Sequence, residues 1–345
     1  MSEKLNDRSR KILEAIIEDY IDSAEPIGSR TVSRRHRIGL SPATVRNVMA
    51  DLEEMGYIVS PHTSAGRIPT EKGYRFYVDT LLQVRELSEQ ERLRIERKYR
   101  LDGLRMEERL RGAGKVLSQI SHYAGIVMAP RLNTTVFRHI EFISLSRGKV
   151  LVVFVTQSGL VQNKIIEVEE EVTPRELEQI TNYLNRTLSG LTIQDAKLRL
   201  IAEMAKEKAL YDKLLQRALK LSQEALSDEM GGQVFIEGAS NILEQPEIAD
   251  MGRMKRLFRA FEQKSQLVEL LDKSQRAQGV QIFIGSQSEY SELEGFSLIT
   301  STYSNCGGAI GTLGVIGPSR MSYSLVIPIV DYTARLVSQV LELDT

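Results

Sequence analysis

Apolar residues near the start of the chain recur with the period of an α-helix. One helical stripe contains Ile12, Leu13, Ile16, Ile17, Tyr20 and Ile21. Either Asn6 or Asp7 can cap the start of this helix. Pro26 and Gly28 then interrupt the pattern, and a short second helix is predicted from about Ser29 to His36.

A third helix is predicted to begin at Ser41 and Pro42. Serine accepts hydrogen bonds from the open amides of a first turn, and proline fits the first helical position because no donor is lost there. Gly39 supplies the permissive backbone for the turn before it. One face of this helix is apolar, with Val45, Val48, Met49 and Leu52. The opposite face has residues suited to a DNA groove: Ala43, Arg46, Asn47 and Ala50, with Thr44 at its border.

A wing is predicted directly after these helices. Two short strands, Ile58-Val59-Ser60 and Arg67-Ile68, flank a tip at residues 61–66. Thr70 then caps another helix, whose apolar stripe packs back on the domain; the stripe contains Tyr74, Tyr77, Val78, Leu81 and Leu82. Helix, short helix, turn, capped helix and wing together indicate a winged helix-turn-helix, in which the third helix enters the major groove.

The charge pattern supports this interpretation locally, since the whole chain has a formal net charge of only -1. The segment from Pro26 to Ala50 contains no Asp or Glu, and its arginines are Arg30, Arg34, Arg35, Arg37 and Arg46. Acidic residues return at Asp51. An arginine-rich stretch alone more often marks a solvated surface. Its coincidence with a capped third helix and a wing favours a DNA-binding surface.

The predicted contacts fall into two groups. Thr44, Arg46 and Asn47 are expected to read base edges, because Arg pairs with guanine and Asn with adenine in the major groove. Contacts that position the DNA backbone are expected from Arg30, Ser41, His62, Thr63, Ser64 and Arg67.

The rest of the chain alternates between charged helices and strands. Residues 85–115 are dense in Arg and Glu and are interpreted as a charged, solvated connector, with a capping-box pattern at Ser88 and Glu91. Residues 136–168 alternate as strands, and a matching set is predicted at 280–284, 296–303 and 309–316. A final helix is expected from about Ser322 to Leu343, and a short strand near 233–237. These elements predict one α/β domain interrupted by a mostly helical insertion.

The sequence offers little support for a catalytic site, a metal site or a membrane-spanning segment. Cys306 is the only cysteine, and the four histidines, His36, His62, His122 and His139, show neither metal-ligand spacing nor an evident pairing with it. The glycines at 307–317 lack a phosphate-loop or dinucleotide pattern. The longest strong apolar run, Val150 to Val155, is too short to cross a bilayer, and no secretory segment is evident. We therefore expect a cytoplasmic protein without a cofactor, a metal or a membrane partner.

Several segments carry a resemblance to a known family. In the N-terminal part they are Glu25-Pro26-Ile27-Gly28-Ser29, Leu40-Ser41-Pro42-Ala43-Thr44-Val45-Arg46-Asn47, Met49-Ala50-Asp51-Leu52-Glu53-Glu54, Pro61-His62-Thr63-Ser64-Ala65-Gly66-Arg67-Ile68-Pro69 and Glu71-Lys72-Gly73-Tyr74-Arg75. Later ones are Glu237-Gly238-Ala239-Ser240-Asn241 and Gly311-Thr312-Leu313-Gly314-Val315-Ile316-Gly317-Pro318. In these segments, which span nearly the whole chain, the protein resembles the heat-inducible transcription repressors of the HrcA family.

The resemblance implies an α+β multidomain fold class and a set of partners. It assigns an N-terminal winged helix-turn-helix to residues 1–84, followed by the connector at 85–115. A GAF-like α/β domain at 116–192 and 279–345 is then interrupted by an inserted dimerisation domain at 193–278. The implied function is repression of chaperone operons by a homodimer on an inverted-repeat operator, the CIRCE element, with activity dependent on the GroE chaperonin.

Two other hypotheses remain open at this point. In the first, the GAF-like domain binds a metabolite, and binding releases the protein from DNA. In the second, the protein is an enzyme that uses Cys306 as its nucleophile. The location of the dimer interface is also open, because a set of apolar residues fits either an interface or an internal core: Leu210, Leu214, Leu215, Leu221, Leu257, Phe258 and Phe261.

Overall fold

The fold is that of a computed structural model. It describes residues 5–36, 38–62, 66–99, 106–130, 136–146, 148–157, 161–168, 172–193, 195–196, 198–199, 221, 233–245, 251–263, 265–277, 279–285, 293–305 and 308–343. These ranges form a winged helix, a five-stranded sheet between helices, and a three-stranded sheet with its own helix.

The winged helix follows the predicted order of elements. Its helices are α1 (Asp7–Ser23), α2 (Ser29–Arg35), α3 (Pro42–Glu54) and α4 (Glu71–Phe76), and α4 continues as a π-helical turn at Tyr77–Leu81. Strands β1 (Ile58–Val59) and β2 (Ile68–Pro69) pair antiparallel as the wing. The helix-turn-helix and wing are thus confirmed, with the second strand one residue later than expected.

Side-chain caps fix where these helices begin. The side chain of Asn6 accepts a hydrogen bond from the amide of Ser9 at 2.9 Å, which settles the first cap in favour of Asn6 over Asp7. Thr70 Oγ1 accepts from the amide of Gly73 at 3.2 Å at the start of α4. Gly39, in the turn before α3, has a φ of 72°, in the left-handed region that favours glycine.

The larger sheet is antiparallel throughout and has the order β7-β3-β10-β9-β8. Its strands are β3 (Ala124–Met128), β7 (Val234–Glu237), β8 (Gln281–Ile284), β9 (Phe296–Asn305) and β10 (Gly308–Pro318). Adjacent residues face opposite sides, so that Val127 and Ile299 share one core while Ile126 and Leu298 share another.

Helices cover both faces of this sheet. On the Val127 face lie α6 (Met106–Ser121) and the C-terminal helix Tyr323–Leu343, and on the Ile126 face lie the helices Met251–Gln263 and Ser265–Arg276. Among the described helices, the C-terminal one is long and apolar enough to span a membrane by length and composition alone. Here its apolar residues are core residues, as Val326, Val330 and Val337 are fully buried.

The smaller sheet has the order β4-β5-β6 and a separate core. Its strands are β4 (Phe137–Ser146), β5 (Lys149–Thr156) and β6 (Val161–Glu167), and α7 (Pro174–Leu188) packs on one face. The side chain of Asn185 on α7 bonds both backbone groups of Ile140, at 2.8 and 3.0 Å, and so ties the helix to β4.

This separation corrects the grouping of strands predicted from the sequence. Residues 136–168 were assigned with 279–345 to one α/β domain, but β4 to β6 pair only with one another among the described strands. Conversely, β7 and the helices of 251–276, which fall in the predicted insertion at 193–278, complete the five-stranded unit. The part of the chain that interrupts the larger sheet therefore lies between β3 and β7.

The predicted connector is also corrected in its second half. Helix α6 is not a solvated helix, because Leu110, Ala113, Val116 and Leu117 are buried in the core. Only α5 (Glu89–Tyr99) has the expected charged surface, and its capping box is present: Ser88 Oγ accepts from the Glu91 amide, and Glu91 accepts from the Ser88 amide.

The apolar residues left open between interface and core are now partly placed. Leu257 and Phe261 are buried under the larger sheet, and Leu221 is buried in the core of the smaller unit. Leu210, Leu214 and Leu215 lie outside the described residues.

The winged helix packs against the five-stranded unit through one continuous core. Tyr74 on α4 contacts Tyr323 of the C-terminal helix, with ring centroids 6.2 Å apart. Arg75 donates to the carbonyl of Ile282 in β8 at 2.8 Å, and Arg320 donates to the carbonyl of Ile21 in α1 at 2.8 Å. Each unit thus donates a hydrogen bond from an arginine to a backbone carbonyl of the other unit.

Candidate nucleic-acid interface

The outer face of α3 is the centre of the candidate interface. Arg46 and Asn47 are exposed, together with the small residues Ala43 and Ala50, and Thr44 is half-buried at the border. The opposite face is buried in the core of the domain, as predicted; it consists of Val45, Val48, Met49 and Leu52. The spacing i, i+3, i+4, i+7 places the exposed residues on one side of the helix.

The start of α3 is fixed by its own side chains. Ser41 Oγ accepts a hydrogen bond from the amide of Thr44 at 3.2 Å and lies 3.0 Å from Thr44 Oγ1. Pro42 occupies the first turn. The helix therefore presents its positive N-terminal end beside the hydroxyls predicted to contact DNA.

Helix α2 supplies the arginines next to α3. Arg30 and Arg34 are exposed, and neither lies within ion-pair distance of a carboxylate in the described chain. Ser33 Oγ donates to the carbonyl of Leu40 at 2.8 Å and so holds α2 to the turn. Arg37 lies outside the described residues.

Arg35 has a different role from its neighbours. Its guanidinium Nη1 lies 3.1 Å from Oδ1 of Asp19, a residue of α1 that is only 5% exposed. His36 Nε2 lies 3.2 Å from the same oxygen. Segment 26–50 has no acidic residue of its own, but Asp19 of α1 lies beside it in the fold. This carboxylate holds the end of α2 to α1.

The wing is joined to α3 by Glu53. One carboxylate oxygen, Oε2, accepts from Nε of Arg67 at 2.8 Å and lies 2.8 Å from its Nη2, while Oε1 accepts from the amide of Ser60 at 3.0 Å. Arg67 also pairs with Ile27 through backbone hydrogen bonds in both directions. The contacts of Glu53 were not predictable from the sequence, because nothing in the spacing of these residues indicates a pair.

The tip of the wing is partly described. His62 is exposed, and its carbonyl accepts from Ser60 Oγ at 2.7 Å. Thr63 and Ser64, predicted to contact the DNA backbone, lie outside the described residues. Gly66 packs tightly, because a Cβ there would come within 2.5 Å of the carbonyl oxygen of Ile27.

The acidic side chains of α1 gather beside α4. Burial, followed by the carboxylates of Glu18 and Glu14, raises the pKa of Tyr77 to about 12. Burial and the neighbouring Glu14 also raise the pKa of Glu18. The domain therefore keeps acids near Tyr77, whereas Arg30, Arg34 and Arg46 have no carboxylate partner among the described residues.

The described residues contain no group of His, Cys, Asp and Glu that would hold a metal ion. Cys306, the candidate for an enzyme function, lies outside the described residues.

Comparisons with known proteins identify the N-terminal part of the chain as a DNA-binding winged helix. The family described as winged helix-turn-helix transcription repressor, HrcA DNA-binding, matches residues 4–81, and the family described as HrcA protein C terminal domain matches residues 107–327. The heat-inducible transcription repressor HrcA of Geobacter sulfurreducens is 57% identical over 338 residues, covering 98% of each chain. The repressor of the same name from Syntrophobacter fumaroxidans is 44% identical over 340 residues, again covering 98% of each chain.

The fold also resembles that of a solved structure. It is described as the crystal structure of a hypothetical protein at 2.2 Å resolution, and it matches with a TM-score of 0.64 at 24% identity, covering 99% of this chain and 100% of that chain. The family matches and the full-length relatives lead to a plain conclusion: the chain belongs to the HrcA family of heat-inducible transcription repressors, a family of DNA-binding regulators and not of enzymes.

Proposed function

We propose that this protein represses chaperone operons by binding an inverted-repeat operator, the CIRCE element, as a homodimer, and that its activity depends on the GroE chaperonin. The observation that carries the DNA-binding part is the outer face of α3, where Arg46 and Asn47 are exposed and the neighbouring Arg30 has no carboxylate partner in the described chain. The operator and the chaperonin are expected from the resemblance to the family.

Within this proposal the side chains divide by the kind of DNA contact. Thr44, Arg46 and Asn47 read bases in the major groove. Contacts to the DNA backbone come from Arg30, Ser41, His62, Thr63, Ser64 and Arg67. Arg67 reaches the phosphates from a fixed position, since it is paired with Glu53 and its side chain is 27% exposed.

The homodimer is supported by an exposed apolar surface on the smaller sheet. Ile143 and Ile165 lie on either side of Leu151 in the strand register, and they are 44% and 57% exposed. Val161, at 61% exposure, extends this surface along β6. A second copy is the occupant that fits an inverted repeat, because a two-fold axis relates both half-sites and both readers. We therefore propose that the dimer interface lies on β4 to β6, and not on the segment 193–278 that the resemblance assigns to dimerisation.

The remaining expectations also belong to the proposal. The five-stranded unit is assigned as the GAF-like domain, and the protein acts in the cytoplasm. Metabolite sensing by the GAF-like domain is the alternative function, but a fold of this kind does not by itself establish a ligand.

One experiment tests the operator and the chaperonin together. Purified full-length protein is titrated into a palindromic operator duplex, a single half-site and a scrambled duplex, before and after heating, with and without GroE. The proposal expects tight binding to the palindrome, weak binding to the half-site, and recovery after heating only with GroE. Equal affinity for all three duplexes would exclude operator-specific repression, and recovery without GroE would exclude the chaperonin dependence.

A further inference from the structure

Two hydroxyl groups lie side by side at the start of α3. Ser41 Oγ accepts a hydrogen bond from the backbone amide of Thr44 at 3.2 Å. It also lies 3.0 Å from Thr44 Oγ1, a distance at which either hydroxyl can donate to the other. Both residues belong to the proposed DNA interface, in which Ser41 contacts the DNA backbone and Thr44 reads a base. The direction of the bond between them therefore affects what each can offer to DNA.

No other group in the described chain competes for the hydroxyl of Thr44, whose only side-chain hydrogen bond there is the one with Ser41. A threonine in a helix often donates instead to the carbonyl of the residue one turn earlier. Here that carbonyl belongs to Leu40, and it accepts from Ser33 Oγ at 2.8 Å. The direction of the bond between Ser41 and Thr44 is therefore decided by what the two hydroxyls meet on the DNA.

A phosphate contact by Ser41 sets this direction. A serine hydroxyl has one proton to donate and two lone pairs with which to accept. The amide of Thr44 already occupies one lone pair of Ser41 Oγ. A phosphate oxygen of DNA only accepts hydrogen bonds, so Ser41 can bond it only by donating its single proton. The second lone pair of Ser41 then accepts the proton of Thr44 Oγ1, and the hydroxyl of Ser41 is fully bonded.

The same count fixes what Thr44 offers to a base. Once its proton is donated to Ser41, the hydroxyl of Thr44 has only lone pairs left and can only accept. In the major groove, the groups that donate are the exocyclic amines of adenine and cytosine, whereas thymine and guanine present keto oxygens that only accept. A thymine or a guanine opposite Thr44 would therefore place two acceptors against each other.

We propose that Thr44 selects a base with an exocyclic amine, adenine or cytosine, and that Ser41 is the positioning residue that imposes this preference through its phosphate contact. The assignment rests on the proposed function, because it requires that both residues contact DNA. Hydrogen bonds then run in one direction from the base amine through Thr44 and Ser41 to the phosphate. Contact with the DNA backbone and choice of base are thereby coupled.

Gel-shift titrations of the full-length protein on modified palindromic duplexes test the role of Thr44. Deoxynebularine replaces one adenine at a time and deoxyzebularine one cytosine at a time, and each removes only the exocyclic amine. At one position of each half-site, wild-type protein is expected to lose affinity about three- to tenfold, the effect of one hydrogen bond to Thr44. Thr44→Val keeps the branched shape without the hydroxyl, and should show no loss at that position. Losses at positions read by Asn47 should persist in this variant.

Two replacements of Ser41 separate its positioning role from its role as a helix cap, on duplexes that carry each of the four base pairs at the Thr44 position. Ser41→Asp keeps a capping side chain that accepts the proton of Thr44, but it repels phosphate. It should weaken binding to all duplexes and retain the preference for an amine. Ser41→Ala leaves the proton of Thr44 free to bond a keto oxygen, so the preference should disappear. Loss of a cap alone would weaken binding to all duplexes alike.

Three outcomes would overturn the proposal. The first is that no amine removal has an effect that depends on Thr44. The second is that Thr44→Val relaxes a preference for thymine or guanine, because the hydroxyl would then donate to the base. The third is that Ser41→Ala keeps the wild-type preference. All three differ from failure of the proposed function, in which wild-type protein would bind the palindromic and scrambled duplexes equally.

Discussion

Glu53 on α3 and Arg67, the residue directly before β2, form an ion pair in which two guanidinium nitrogens lie 2.8 Å from one carboxylate oxygen. The other oxygen of Glu53 accepts from the backbone amide of Ser60. A single acidic side chain thus holds both sides of the wing to α3. The angle between helix and wing is set before DNA arrives, which limits the ordering that binding would otherwise require.

Replacing Glu53 by Gln should loosen the wing. The variant loses an ion pair between half-buried side chains, and we expect the free energy of unfolding to fall by about 1 kcal/mol. Urea denaturation measures this loss, and hydrogen exchange should show faster exchange of the Ser60 amide. Glu54→Gln is the matched control, because Glu54 is the exposed neighbour on the same helix. Equal effects of the two variants would contradict the role assigned to Glu53.

Replacing Arg46 by Ala should reduce discrimination at one base pair of the operator by about 1–3 kcal/mol. Gel-shift titrations on single-position operator variants measure this loss. Arg30→Ala serves as the comparison, because Arg30 is an exposed residue of α2 with a proposed contact to the DNA backbone, and its loss should weaken binding to all sequences alike. A uniform loss for Arg46→Ala would assign Arg46 to phosphate contact instead.

Replacing Arg75 by Ala should weaken the junction between the two units. The charged hydrogen bond to the carbonyl of Ile282 is lost, and we expect a loss of about 1.5–3 kcal/mol. Calorimetry should show a lower melting temperature or two separate transitions. Asp79→Asn is the control, since Asp79 is exposed and contacts Arg75 only at 3.5 Å. An unchanged melting curve for Arg75→Ala would show that the apolar contacts alone hold the junction.

Replacing Ile165 by Asp should dissociate the proposed homodimer. A charge in the middle of the apolar surface would be desolvated on association, so the dimer should be weakened by several kcal/mol. Analytical ultracentrifugation measures the change, and binding to the palindromic duplex should fall in parallel. Leu243→Asp is the control, because Leu243 is also exposed but lies on the five-stranded unit. A dimer unaffected by Ile165→Asp would place the interface elsewhere.

Glu91 should make a small contribution to stability that depends on pH. Hydrogen bonds from Arg85, and then from the amide of Ser88, lower its pKa to about 2. The unfolded value is near 4.3. Because the folded pKa is the lower one, the stabilisation is complete above the unfolded pKa and is lost as the pH falls towards 2.

Denaturation curves between pH 5 and about pH 2 measure this effect in wild type and in Glu91→Gln. The difference in stability between the two proteins should shrink as the pH falls, and added salt should reduce it because both side chains are partly exposed. A difference that stays constant with pH would contradict the assignment.

The sequence predicted local structure well because local structure depends on spacing and capping. Ser41 and Pro42 mark the start of α3, and the apolar positions Val45 and Leu52 define its buried face. The exposed positions of Arg46 and Asn47 follow directly from the same period.

The partners of strands and charges were not predictable in the same way. The alternation of apolar and polar residues shows that β4 to β6 are strands, but it does not show which strands they pair with. The prediction therefore assigned the strands of both sheets to one domain. The pairs Glu53 with Arg67 and Asp19 with Arg35 join residues from different elements. Such contacts depend on how the elements pack, which no local pattern records.

The position of β3 in the larger sheet determines when this protein is able to fold. Val127 pairs with Phe235 on one side and with Leu313 on the other, so both neighbours of β3 leave the ribosome long after it does. During synthesis α6, which precedes β3, is available to cover the Val127 face. The two strand edges and the Ile126 face lack their later partners, and contacts between distant parts of a chain form slowly. Each new chain is therefore expected to pass through a partly folded intermediate with exposed apolar surface, which needs protection from aggregation.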